Sequence, residues 1–217
     1  MGREVRPGLQ SALDLSPWRD RILDDGLDRD KWLAARANGV IGASDAAGYV
    51  NPASEDKYVA AKLKPSTFRG NAYTEAGHEW EPRLLSSRAL TQNTALIHAP
   101  GFPGFGATPD ALKETPEGII LGEAKIKHNK IVNGPTAREF RQLAWQMFCV
   151  GWDQVLHTEF VWGELVDGEL RGNAIEPKHL TIYPGDVEHL LPPMLAIDTN
   201  VGRRVRAALQ FAKEIDL

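Results

Sequence analysis

The stretch ATPDALKETPEGIILGEAK, residues 107–125, decides how the rest of the chain reads. Its middle, KETPEG, carries Pro116 and Gly118, a turn composition. The flanks, Ala107 to Leu112 and Gly118 to Ile126, are short and largely apolar. The pattern predicts a β-hairpin. Side chains two apart on a strand share a face, so Glu123 and Lys125 project together. An antiparallel partner strand would bring Asp110 beside Glu123. Two converging carboxylates are costly unless a cation lies between them, and oxygen ligands with open positions suit Mg²⁺ or Mn²⁺. A lysine next to them would stabilise charge on a phosphoryl group or orient an attacking water. These are the parts of metal-dependent phosphodiester hydrolysis, although Glu-Ala-Lys by itself is also a common surface tripeptide.

Outward from the hairpin, helices and strands alternate. Trp18 to Leu23 and Asp30 to Ala37 have helical composition, and Ser54 to Leu63 reads as a helix with Ser54 as its N-cap. Ala72 to Ala89 is a longer helix, starting or kinking at Pro82, with Trp80, Leu84 and Leu85 in a buried stripe. Ala95 to Ala99 is a strand, and GFPGFG after it lacks the lysine and hydroxyl of a nucleotide loop, so it reads as a tight turn. Thr136 and Glu139 form a capping box after Pro135, and Phe140, Leu143, Ala144, Met147 and Val150 fall on one side of the helix that follows. Gln154 to Gly163 and Leu180 to Tyr183 are strands, and Val201 to Ile215 a closing helix. The expected class is α/β, a central mixed sheet flanked by helices in one domain spanning 1–217.

Composition narrows the function. Of 217 residues, 42% are hydrophobic, enough for a sizeable core, and 25 basic against 29 acidic side chains give a net charge of -4. That excludes a uniformly basic DNA coater but not a local basic track. A single cysteine, Cys149, excludes a disulfide framework and a four-cysteine metal site. The six histidines show no paired helical spacing for metal binding. No apolar run suits a membrane span or a signal peptide, so a soluble cytoplasmic protein is expected. The last third, residues 151–217, is acidic. Two basic runs lie earlier: Lys57, Lys62, Lys64 and Arg69, and Lys125, Lys127, Lys130, Arg138 and Arg141. Either is a solvated face or, flanking the hairpin as they do, part of a phosphate-contacting track.

Four segments in a fixed order carry more than any one. They are Trp32-Leu-Ala-Ala-Arg36 followed by Gly39-Val-Ile-Gly-Ala-Ser44-Asp45, then Gly77-His-Glu-Trp-Glu81, then Pro109-Asp110 with Glu123-Ala-Lys125, and Gln142-Leu-Ala-Trp-Gln146. Together they resemble the YqaJ-like viral recombinase family, that of bacteriophage lambda exonuclease, within the PD-(D/E)XK nuclease superfamily. The resemblance covers about residues 30–165 and leaves 166–217 an extension of unknown role.

The resemblance implies a restriction-endonuclease-like core and a Mg²⁺-dependent 5′-to-3′ exonuclease acting on linear duplex DNA ends. The 3′ overhang would pass to a single-strand annealing protein in phage-type recombination within a bacterial host. Processive relatives are homotrimeric rings. By motif, Asp110, Glu123 and the Ala124 carbonyl would hold the metal, Glu81 would assist directly or through water, and Lys125 would be the catalytic lysine. Arg36 and Ser44 match phosphate-holding positions, with Lys127, Lys130, Arg138 and Arg141 along the DNA. Gln142 matches the first glutamine of a Gln-x-Gln pair; Ala144 stands at the second place, and Gln146 lies one turn beyond Gln142. Glu79 competes with Glu81, and Ser44 also fits an N-cap. Alternatives are a structure-specific or restriction-type endonuclease of the same superfamily, and a non-catalytic DNA-binding accessory module.

Overall fold

A computed structural model describes residues 17–64, 72–166, 169–171 and 177–215. In chain order the elements are β1 (Ile22–Asp24), α1 (Arg29–Ala37), β2 (Ile41–Gly42), α2 (Ala43–Ala46), α3 (Glu55–Leu63) and α4 (Ala72–Ser86). Then come β3 (Leu96–Ala99), β4 (Phe102–Ala107), β5 (Ala111–Thr115), β6 (Gly118–His128), α5 (Ala137–Val150) and β7 (Val155–Val166). The chain closes with β8 (Glu169–Arg171), β9 (Lys178–Ile182), α6 (Pro184–Val187) and α7 (Leu191–Ile215). No helix among the described residues is long and apolar enough to cross a membrane.

The mixed α/β class is what forms, with the strands shared between two sheets. One runs β1-β3-β4-β2, where β2 and β4 are parallel and the rest antiparallel. The other runs β5-β6-β7, and both β8 and β9 pair with β7. Strands β6 and β7 are parallel, so the chain must cross over between them, and α5 is that crossover. A lone bridge from Gln92 to Ala111 links the segment ahead of β3 to the second sheet.

Helix α5 sits at the centre because it is apolar on two sides. Leu143, Ala144, Met147 and Val150 pack against Ile119, Leu121, Phe160 and Trp162 of the second sheet. Trp145, Phe148 and Cys149 pack against Phe105 and Ala107 of the first sheet and against Ile197, Val201 and Val205 of α7. Each large side chain so buried contributes about 1.5–3 kcal/mol. Thr136 caps α5 reciprocally with Glu139, as the sequence reading expects. At the other end the buried Arg21 guanidinium donates to the carbonyls of Cys149 (2.6 Å), Val150 and His98. A cation at a helix C-terminus also meets the negative end of its dipole. On the other face of the second sheet, Leu84 and Leu85 of α4 pack against Leu90, Ala111, Ala124 and Val161.

Four local expectations are corrected. Trp18 to Leu23 is a 3₁₀ turn followed by β1, because Ile22 and Asp24 pair with β3. GFPGFG is a turn only at Gly101; Phe102 to Gly106 lie in β4, where a side chain on Gly106 would press Val40 and Leu96 at 3.0 and 3.2 Å. Helix α4 begins at the expected Ala72, with Pro82 inside it, and ends at Ser86 rather than Ala89. Helix α7 begins ten residues earlier than Val201, and its first turn holds Pro192 and Pro193. Ser54 occupies the N-cap position of α3 but makes no side-chain cap bond.

Candidate active site

The β5–β6 hairpin registers Ala111 opposite Gly122, which places Asp110 at the level of Glu123 and Ala124. The Asp110 Oδ2 accepts the Ala124 N–H at 2.8 Å. Asp110 is held from outside the hairpin too. The Asn93 backbone N–H donates to its carbonyl at 2.9 Å, and the Asn93 side chain donates to the Pro109 carbonyl at 2.9 Å. Next in the chain, Gln92 donates to Glu81 at 3.3 Å. Gln92 and Asn93 thus brace two of the candidate ligands. The sequence around them, Thr-Gln-Asn between two apolar stretches, reads only as a polar loop.

Glu123 is fully buried, an unusual place for a carboxylate. Its Oε1 pairs with the Lys125 ammonium two residues along the strand. The Gln142 amide donates to the same oxygen at 2.5 Å, and the Gln146 amide donates to Oε2 at 2.6 Å. Gln142 and Gln146 lie one turn apart on α5 and so reach the strand together, while Ala144 is buried in the core between them. The packing around Asp110, with the Glu123 and Glu81 charges added, pushes its carboxyl well above the usual range despite Lys125 and the Ala124 N–H. Burial by itself would lower the Lys125 ammonium; Glu123 and Asp110 beside it prevail and hold it above its ordinary value. The carboxylates gathered here, Asp110, Glu123 and Glu81, outnumber the Lys125 ammonium, which is the electrostatic condition for taking up a cation.

A second group of residues meets the first. The Arg36 guanidinium lies over the Trp32 ring at 5.1 Å, with Nη2 3.3 Å from Ser44 Oγ and 3.3 Å from Asp45 Oδ2. That Asp45 oxygen also accepts from Lys62 at 2.6 Å and from the Gly42 N–H at 3.0 Å. Burial would raise the Asp45 carboxyl, but Lys62 and Arg36 outweigh it and hold it below the usual range. Gly42 is what makes room: a Cβ there would sit 2.4 Å from Arg36 Nη2. The Asp45–Lys62 pair joins α2 to α3 across 17 positions, a link the sequence does not advertise.

The basic residues after Lys125 divide. Arg138 donates to the Ser44 carbonyl at 3.1 Å and Arg141 to the Ala47 carbonyl at 2.9 Å, so both lie next to the Arg36–Ser44 group. Lys130 is exposed. Lys127 is turned inward, paired with Glu139 and 5.7 Å from the Phe160 ring centroid. In the earlier run Lys57 and Lys64 are exposed and Lys62 is half-buried against Asp45; Arg69 lies outside the described residues.

One cleft of about 380 Å³ has Arg36, Ser44, Glu81, Asp110, Gln142 and Gln146 in its walls. Another cavity, of about 510 Å³ beside Phe102, Phe105 and Arg206, contains none of these six. Among the described residues no three His, Cys, Asp or Glu side chains form a ready-made metal cage. Two carboxylates and a main-chain carbonyl nonetheless match a cation that keeps several of its waters, as Mg²⁺ does.

No protein-family model matches the sequence, and no curated protein does. Among solved structures the chain is similar to an alkaline exonuclease (LHK-Exo) from Laribacter hongkongensis, at 21% identity and a TM-score of 0.61, over 86% of this chain and 97% of that one. It is similar also to the same exonuclease in complex with dAMP, at 20% identity and a TM-score of 0.58, over 86% of this chain and 99% of that one. Over 86% of its length, then, the chain has the fold of this alkaline exonuclease.

Proposed function

We propose that the chain is a Mg²⁺-dependent deoxyribonuclease of the lambda exonuclease type, degrading linear duplex DNA from its 5′ ends. The observation that carries this reading is the shared cleft: Asp110, with Glu123 and Lys125 behind it, opens into the same space as Arg36 and Ser44. A carboxylate–lysine set next to an arginine–serine set is what phosphodiester hydrolysis at a terminal phosphate requires. The fold held in common with an alkaline exonuclease supports it.

Asp110, Glu123 and the Ala124 carbonyl would hold Mg²⁺, or Mn²⁺ in its stead, with Glu81 assisting. Bound there, the cation would supply activation of water and charge neutralisation at the phosphate. The chain's own residues do the rest. Lys125 keeps its proton and offsets negative charge. Gln142 and Gln146 fix Glu123. Arg36 and Ser44 hold a terminal phosphate, with Arg138 and Arg141 alongside. Products would be 3′ overhangs for a single-strand annealing protein, and a homotrimeric ring would keep an acidic protein on DNA. The setting would be the cytoplasm of a bacterial host.

The test is digestion of a linear duplex labelled at one 5′ end, with Mg²⁺ or with EDTA, by the parent and Lys125→Ala. Early release of labelled mononucleotide is expected from the parent with Mg²⁺ alone. Cleavage of closed circular duplex would move the reading to an endonuclease. Tight DNA binding with no cleavage would move it to an accessory module.

A further inference from the structure

We infer that Gln146 is a positioning residue for Glu123, the second arm of an amide clamp that fixes the carboxylate for a divalent cation. The inference rests on the nuclease reading of the cleft and adds a residue to its metal site. Lys125 and Gln142 both reach Glu123 Oε1, so that oxygen has two donors. Gln146 donates to Oε2, at 2.6 Å. Removing Gln142 leaves Oε1 with Lys125; removing Gln146 strips Oε2 and frees the carboxylate to turn. The arms are unequal: among the described residues Gln146 has no second donor beside it at its oxygen.

The other end of the Gln146 amide points the same way. Only its NH₂ can donate to a carboxylate, which fixes the orientation of the group. Its Oε1 is then a buried acceptor with no hydrogen-bond partner among the described residues, while Gln146 itself is 1% exposed in the wall of the cleft. Buried acceptors are left unpaired only rarely, and a water in a cation's shell would satisfy this one. Position 144 offers no such service here. Ala144 is fully buried, packed with the apolar side chains of the second sheet.

The experiment is Mn²⁺ titration by calorimetry, without DNA, of the parent, Gln146→Met, Gln146→Asn and Gln142→Met, each checked for folding by circular dichroism. Gln146→Met should lose roughly 10–100-fold in Mn²⁺ affinity, the usual effect of removing a group that orients a metal ligand. Gln142→Met should lose less. In DNA cleavage kcat should fall while KM holds, a split that mere loosening of the core would not produce. If the methionine variant fails to fold, Gln146→Asn decides, since its amide stops a methylene short of Glu123. Mn²⁺ affinity within about twofold of the parent in a folded variant would overturn the clamp. A parent that binds Mn²⁺ but cuts no DNA would refute the nuclease and leave the clamp to be judged by affinity. A parent that binds no Mn²⁺ would refute both.

Discussion

Asp198 makes folding stability depend on pH in a direction opposite to most carboxylates. It lies on α7 with no exposed surface, and neither carboxyl oxygen has a hydrogen-bond partner among the described residues. Burial, with Asp45 nearby as a smaller contribution, pushes its pKa from the usual 3.8 up to about 8. Between those two values the folded protein carries a proton that the unfolded chain has released. Stability therefore falls as pH rises through that window, by about 1.4 kcal/mol per unit for this one group. From pH 5 to pH 8 the loss comes to about 4 kcal/mol, a large share of a typical domain's margin. Asp198→Asn keeps the shape and cannot ionise. Urea unfolding of the parent and the variant at pH 5, 6, 7 and 8 isolates Asp198, because every other titrating group is common to both. The variant's advantage should be smallest at pH 5 and grow by about 4 kcal/mol by pH 8. An advantage that stays constant within about 1 kcal/mol across the series would refute the reasoning and mean that Asp198 is solvated or paired.

Three further outcomes follow from single contacts. Arg21→Met leaves the carbonyls of His98, Cys149 and Val150 without their donor and should cost about 3 kcal/mol or more in urea unfolding. Gly42→Ala places a methyl against the end of the flexible Arg36 side chain; stability should change by less than about 1 kcal/mol, while KM for a 5′-phosphorylated duplex rises roughly tenfold. Arg138→Ala should reduce the salt slope of DNA binding by about one, whereas Lys127→Ala should leave it unchanged because Lys127 is engaged with Glu139.

What the sequence disclosed and what it withheld separate by the range of the interactions involved. The β5–β6 hairpin and the α5 capping box are local: a turn with Pro116 and Gly118, and a Thr136–Glu139 exchange four residues long. Both could be read from adjacent letters. The glycines of GFPGFG looked like a turn, yet Gly106 is small because Val40 and Leu96 close over the strand from elsewhere in the chain. Likewise Ile22 to Asp24 form a strand only because β3 offers an edge. The same division runs through the cleft. Asp110, Glu123 and Lys125 share a hairpin and were visible as a pattern. The Asp45–Lys62 pair, the Gln92–Glu81 contact and the Asn93 brace join segments that nothing in the sequence ties together.

The acidic balance of the chain is a poorer guide to its surface than the count suggests. Eleven of its acids lie in the last third, from Asp153 to Asp216. Two of these, Glu159 and Glu164, are buried and matched inside the protein. Glu159 meets Arg88, His157 and Thr181; Glu164 meets Lys178 and the Val132 N–H. Asp198, with its pKa near 8, carries mostly a proton at neutral pH. The charge that the proposed DNA end would meet is set instead by Arg36, Arg138 and Arg141, on the side of the fold where α1, α2 and the start of α5 come together. A net charge of -4 and a polyanionic substrate are compatible because potential near a cleft depends on the few charges within a Debye length of it, about 10 Å at 0.1 M salt.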